Sequence, residues 1–410
     1  MRALSSKWTL CVLLFFATTL NYLDRQTLGI LAPIIRTELD LNNEDLGWLF
    51  AVFYYSYTFA QFVAGGLLDR WRLRRAYGVG VLAWSCVAAL TAIANGFASL
   101  IVFRLLLGVT ESVNWPAAMR IVARSLPAHE RSLGNGIFTS GTSIGALIAP
   151  GLILGIASWL GWRWAFVAVG SLGAVWFVLW ITITRNPVYD KVWIPEAAAP
   201  ALGRGAAYIE VLSTPQFWRV FVVAILVNPC LYFLLNWLPL YFSQQWSIAT
   251  KDLTWILTVI FLGLDLGYLF CGVGVLWLTR SGWNLARSRQ AVFFTATALL
   301  SAVALVPYAW TVSGAVALFV IANFGAGCWI AMYLTMAQEV TDSHVSTAAG
   351  LLGGSGSLAG ALAMWGVGKV TQQTSSFAGP LACVAVAAMI AAIAGIAVVR
   401  YRPLGAVARL

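Results

Sequence analysis

Apolar runs of about twenty residues recur along this chain from Trp8 onward, and the short segments between them carry most of its arginines. A run of that length is what an α-helix needs to cross a hydrocarbon layer of about 30 Å, because each residue advances it by about 1.5 Å. Twelve such runs can be drawn, near 8–33, 46–68, 76–95, 98–125, 132–158, 163–184, 218–243, 252–278, 290–308, 312–338, 346–370 and 377–400. Of the 410 residues, 60% are hydrophobic and only 10% charged, and the mean hydropathy is +0.83. A soluble chain would carry about a quarter charged residues and could not bury this much apolar surface in one core. The expected fold class is an all-α membrane protein of 12 transmembrane helices in two six-helix bundles.

Basic residues set the orientation. With both termini cytoplasmic, Arg70, Arg72, Arg74, Arg75, Arg120, Arg124, Arg131, Arg280, Arg287 and Arg289 fall on inner loops. Only Arg36, Arg163, Lys251 and Lys369 fall outside. That asymmetry is the signature of cytoplasmic loops, so the net charge of +10 points to no nucleic acid partner. The longest polar stretch, 185–215, carries Pro187, Pro195, Pro200 and Pro215, which break helices. It reads as a cytoplasmic linker between an N-terminal six-helix bundle, 1–184, and a C-terminal one, 216–410. The first apolar run continues straight into Asp24, so it is expected to be retained and not cleaved. Short loops and the lack of an Asn-x-Ser/Thr sequon suit a bacterial inner membrane.

Chemistry is sparse and therefore informative. Cys11, Cys86, Cys230, Cys271, Cys328 and Cys383 all lie in apolar runs without Cys-x-x-Cys spacing, and His129 and His344 fall in predicted loops. No metal site and no cofactor are expected. No His-Glu-x-x-His or Ser/Lys constellation supports an enzyme. By contrast, Asp24 and Arg25 stand side by side in the first apolar run, Arg104 and Glu111 lie seven residues apart in the fourth, and Asp265 lies within the eighth. A charge in hydrocarbon costs about 2.5–3.5 kcal/mol even on lenient scales, so these groups face the protein interior. Two readings stand for each: a static ion pair or interhelical hydrogen bond, or a group that binds and titrates. Tyr54, Tyr57 and Gln61, and Asn228, Tyr232 and Asn236, each share one helix face. Trp115, Trp329, Trp365 and Tyr333 read as packing or interfacial residues.

The chain resembles the major facilitator superfamily, and within it the anion:cation symporters that include bacterial hexuronate and galactonate permeases. The likeness rests on Asn21-Tyr22-Leu23-Asp24-Arg25, Gly65 to Arg75, Arg104 through Glu111, Pro127 to Ser132, Tyr232 through Pro239, and Asp265-Leu266-Gly267. It implies proton-coupled uptake of an organic anion, such as a hexuronate or aldonate, by alternating access at a midplane site. The transporter would act as a monomer in the lipid bilayer. Arg104 and Arg25 would meet the substrate carboxylate, because guanidinium stays charged and grips carboxylates with two donors. Tyr57, Gln61, Tyr232, Asn236 and Ser357 would line the pocket, Asp24, Glu111 and Asp265 would carry coupling protons, and Asp69, Arg70 and Arg74 would form a cytoplasmic gate. Departures from the pattern also appear. Arg72 replaces a glycine in that gate, Ser357 stands where sugar-acid members often have asparagine, and the loop after the eighth run keeps Arg280, Arg287 and Arg289 without an aspartate. The last departure predicts a weaker latch on that side. Rival readings are a proton-driven exporter of amphipathic compounds, whose cavity would be poor in arginine, a membrane-embedded enzyme, and a transport-dead sensor.

The orientation predicts that a cysteine placed at Arg74 in intact cells is not reached by an impermeant thiol reagent added outside. Labelling of that position from outside would reverse the topology.

Overall fold

Short polar and proline signals end the apolar runs in the computed structural model, which describes residues 2–41, 43–193, 206–248, 250–374 and 376–398. In chain order the helices are α1 (Arg2–Glu38), α2 (Asn43–Arg70), α3 (Leu73–Leu90), α4 (Phe97–Glu111), α5 (Asn114–Ser125), α6 (Arg131–Leu160), α7 (Trp162–Thr184) and α8 (Asp190–Trp193). They continue with α9 (Ala206–Ser213), α10 (Pro215–Asn236), α11 (Leu238–Trp246), α12 (Thr250–Arg280), α13 (Leu285–Ser301), α14 (Val312–Gln338), α15 (Val345–Thr374) and α16 (Ala378–Val398). Ten spans among the described residues are long and apolar enough to cross a membrane. Every run read from the sequence is mostly helical over its described residues. The polar stretch 185–215 is not bare linker, however, since α8 and α9 form within it. Residues 194–205, and the basic residues from Arg400 onward, lie outside the described residues.

Helix ends follow from local chemistry. Asn284 accepts a hydrogen bond from the Arg287 amide at 2.8 Å, and Thr311 accepts one from Gly314 at 3.1 Å, so α13 and α14 start on side-chain caps. Prolines divide two runs expected to be continuous. Pro116, lacking an N–H, cannot complete the rung to residue 112, and α4 stops at Glu111 before α5 begins at Asn114. Pro239 does the same to the rung at residue 235, and α10 stops at Asn236. The 290–308 run likewise ends as a 3-10 segment over Ala302–Tyr308 that contains Pro307.

The chain divides into two compact units. One takes the residues through Ser125, Phe138–Tyr208 and Ser343–Gly354, and the other takes Leu126–Ile137, Ile209–Asp342 and the residues from Ser355 onward. Thus α6 and α15 each contribute to both units. In the first unit an aromatic stack fastens α3 to α7. Trp176 and Trp180 stack at 5.1 Å, Tyr77 meets both edge-on, and the Trp180 indole donates to the Arg74 carbonyl at 3.0 Å. In the second, Tyr241, Phe242, Phe319 and Phe377 pack together, and Phe293 stacks on Trp329 at 5.3 Å. Trp329 also donates to Thr297 at 2.9 Å, which makes it a packing residue. Trp159 and Trp310, 89% and 95% exposed, sit at helix ends, where amphipathic rings meet lipid headgroups.

Because lipid offers no hydrophobic drive for helices to associate, close fit must hold them. At Gly108 an added Cβ would run into Ser56 and the backbone at Phe53 and Tyr57. This lack of a side chain brings α4 against α2 at the level where the buried charges lie.

Candidate functional site

In the first unit three helices bring the intramembrane charges together. Arg25 of α1 donates to Glu111, the last residue of α4, through Nη2 at 2.9 Å and Nε at 3.3 Å. Glu111 is fully buried and the Arg25 side chain is 12% exposed. The rings of Tyr22, Phe53 and Tyr57 surround the same guanidinium at 5.0, 4.9 and 5.0 Å. Desolvated cations gain about 2 kcal/mol or more from such faces.

Arg104 reaches the same ring by another route. Its guanidinium lies 4.8 Å from Phe53, and its Nε donates to the Leu49 carbonyl at 3.2 Å. Its two terminal amino groups make no hydrogen bond to protein among the described residues. Of the two neighbour pairs visible in the sequence, Asp24 with Arg25 and Arg104 with Glu111, neither forms the ion pair. The pair that does form, Arg25 with Glu111, spans 86 positions and links two helices through their side chains.

Asp24 is the unusual group. It is 2% exposed, and neither carboxylate oxygen accepts a hydrogen bond among the described residues. Glu111 lies close enough for the two carboxyls to sense one another's charge. The outer oxygen of Glu111 also lacks a donor. Two cations, two carboxyls and three aromatic rings thus share one buried neighbourhood in which the formal charges cancel. On α2, Gln61 donates to the Tyr57 hydroxyl at 3.5 Å, and Gly350 and Gly353 of α15 pack against Gln61. Tyr54 on the same face is 38% exposed.

Farther along α2, Asp69 grips the start of α15. It accepts from the backbone amides of Ser346 and Thr347 at 3.1 and 2.8 Å and from the Thr347 hydroxyl at 2.6 Å, and Arg120 pairs with it at 3.3 Å. A carboxylate there meets unsatisfied N–H groups and the positive end of the helix dipole. The other two gate candidates lie elsewhere. Arg74 donates to Thr184 at 3.0 Å and to the Ile181 carbonyl at 3.4 Å, while Arg70 is exposed. Arg120 was legible only as one more basic loop residue. Its partner 51 positions upstream gave no local signal.

The second unit holds a more neutral arrangement. Tyr232 lies 3.2 Å from the Ser357 hydroxyl, whereas Asn228 and Asn236 donate back to Ala224 and Tyr232 on their own helix at 2.9 and 2.8 Å. Asp265 is half-buried within α12. The carboxylate absent from the loop after α12 is supplied by Glu339, at the end of α14. Arg289 grips it at 2.7 and 3.0 Å and Arg131 approaches at 3.6 Å, which overturns the expectation of a weak latch on this side. Beside this cluster, Asn135 and Gln338 exchange two amide hydrogen bonds at 3.1 and 2.9 Å, and Thr335 joins Asn135 at 3.0 Å and Ser132 at 3.1 Å. Among the described residues no cluster of three potential metal ligands occurs.

The profile of the Major Facilitator Superfamily matches residues 14–364. A hexuronate transporter of Escherichia coli K12 is 27% identical over 410 residues, covering 97% of this chain and 95% of that protein. A hexuronate transporter of Bacillus subtilis is 27% identical over 414 residues with the same coverage. A probable L-galactonate transporter of Escherichia coli K12 is 28% identical over 350 residues, covering 82% of this chain and 77% of that protein.

The Arg25–Glu111 pair makes a stability prediction. Glu111→Ala leaves the guanidinium uncompensated and destabilises the protein by about 3–5 kcal/mol, whereas Arg25→Met combined with Glu111→Leu recovers most of the loss. Thermal melting of the detergent-purified variants measures both. A double variant no more stable than Glu111→Ala would mean that the two groups are not a pair.

Proposed function

Because the chain belongs to the Major Facilitator Superfamily, and is thereby a multi-pass transport protein of the bacterial inner membrane and not an enzyme, we propose that it takes up a sugar-acid anion together with a proton. The proposed architecture is twelve spans in two six-helix bundles, 1–184 and 216–410, with both termini in the cytoplasm. The names of the relatives, hexuronate and galactonate transporters, support this substrate class.

One observation carries the reading. Arg25, Glu111, Arg104 and Asp24 are buried together, and among the described residues the terminal donors of Arg104 are uncommitted and Asp24 has no donor. With both carboxyls ionised the four charges balance, so an incoming carboxylate adds an unneutralised charge at low dielectric, which is disfavoured. A proton on one carboxyl removes that excess. Proton and anion therefore bind better together than alone, and linkage requires each to raise the other's affinity by the same factor. Asp24 is the first candidate to receive the proton, because no donor among the described residues holds its charge. Glu111 is the second, since its protonation releases Arg25 toward the substrate. Arg104 holds the substrate carboxylate, with Tyr57, Gln61, Tyr232, Asn236 and Ser357 offered to its hydroxyls. Asp265 is a further proton-binding candidate, and Asp69 closes the proposed cytoplasmic gate, with Arg70 following it in the chain and Arg74 bound instead to Thr184 and Ile181.

Arg104→Lys keeps the charge and loses the two-pronged donor, so it folds normally and binds galacturonate or galactonate at least about tenfold more weakly. Titration calorimetry reads the difference, and equal affinity would remove Arg104 from the substrate site.

Asp24→Asn and Glu111→Gln imitate permanently protonated carboxyls. In proteoliposomes each variant performs substrate counterflow but loses accumulation driven by an imposed pH gradient. A variant that concentrates substrate as well as wild type identifies a carboxyl that does not carry the coupling proton.

A further inference from the structure

The end of α2 carries two adjacent glycines, and each is occupied from a different direction. Gly65 lies against the backbone of Ser346 and Thr347, so an added Cβ there would collide with the first turn of α15, the turn that Asp69 holds. Gly66, about 100° farther around the helix, lies against the ring of Tyr208, which a Cβ would meet at 2.5–2.9 Å.

Tyr208 does more than fill that space. Its hydroxyl donates to the Phe62 carbonyl at 2.9 Å and also contacts the Gly66 amide. Phe62 and Gly66 are the two members of one i to i+4 rung of α2. A side chain that engages such a rung fixes the local bend of the helix, because it offers both groups a partner besides each other. Tyr208 belongs to α9, which forms inside the stretch that the sequence presents as a linker. The far end of α9 is tied down separately: the Trp218 indole of α10 donates to the Leu212 carbonyl at 2.8 Å, and the Thr214 hydroxyl donates to the Glu210 carbonyl at 2.9 Å. An eight-residue helix anchored at one end and inserted at the other is a short stiff strut.

We propose that Tyr208 is a pin through which the linker holds the end of α2 in the conformation where Gly65 and Asp69 clasp α15, so that withdrawal of the pin accompanies release of that clasp. The proposal rests on the reading of the chain as an alternating-access transporter. The same clasp holds Arg120 to Asp69, so the pin stabilises hydrogen bonds that it does not itself make.

The test labels a cysteine placed at Ser346, a buried position, in a background with the six native cysteines replaced. Labelling with an impermeant maleimide is timed in vesicles of both orientations. Tyr208→Phe keeps the ring on Gly66 and removes only the hydroxyl. It speeds labelling at position 346 about three- to tenfold, the change expected for one hydrogen bond of ordinary strength. Gly66→Ala, which drives the ring off the helix, does the same and answers the question if the phenylalanine variant does not assemble. Labelling at the wild-type rate in Tyr208→Phe overturns the proposal. The measurement uses neither substrate nor a pH gradient, so it stands or falls separately from the assignment of a sugar acid.

Discussion

A cation and an anion sharing a hydrogen bond inside hydrocarbon hold one another in place more firmly than any pair on a wet surface, because no solvent competes for either. Arg25 and Glu111 impose that condition here. For the pair to meet, the Arg25 side chain must reach from α1 to the end of α4, where Glu111 accepts it, and α2 must present Phe53 and Tyr57 to the same guanidinium. Gly108 lets α4 close on α2, Pro116 ends the helix, and the aromatic rings replace part of the lost hydration. What remains is Asp24, a carboxyl in the same neighbourhood that accepts no hydrogen bond among the described residues. Its placement is intelligible if the compensation arrives from outside.

The two units solve one problem with different chemistry. At the α2–α15 contact a carboxylate binds the exposed amides at a helix start and is balanced by Arg120. At the α6–α14 contact the work falls to paired amides and hydroxyls, with Glu339 and its two arginines alongside. A sequence comparison of the segments after α2 and after α12 sees only that one has an aspartate and the other does not.

How much could be read beforehand follows from how local each signal is. Apolar runs and flanking arginines are local, and every one of those runs is mostly helical over its described residues. The proline breaks at Pro116 and Pro239 were also present in the sequence, but a hydropathy window averages across them. Asp24, Arg25, Arg104 and Glu111 stood out because charge is rare in such runs. Which cation pairs with which anion was not legible, since neighbours in sequence point around a helix while partners in space come from different helices. Arg120, Glu339, Asn135 and Gln338 were missed for the same reason: each looks like a loop or packing residue until its partner, between 50 and 203 positions away, is seen. The two amides on α10 illustrate the opposite error. Asn228 and Asn236 share the face that helical spacing assigns them, yet both donate to carbonyls of their own helix.

The reciprocal amides of Asn135 and Gln338 bear on how a titration curve of this protein is read. Neither side chain has an ionisable proton in water, and neither bond depends on the ionic atmosphere as separated charges do. Acidifying one side of the membrane leaves that contact at constant strength. Any pH dependence of turnover must then originate in groups that exchange protons: the buried carboxyls on α1 and α4, and Asp69 and Glu339 at the helix contacts. An amide pair thus gives one helix contact that acid does not loosen, beside contacts at Asp69 and Glu339 that rest on carboxylates.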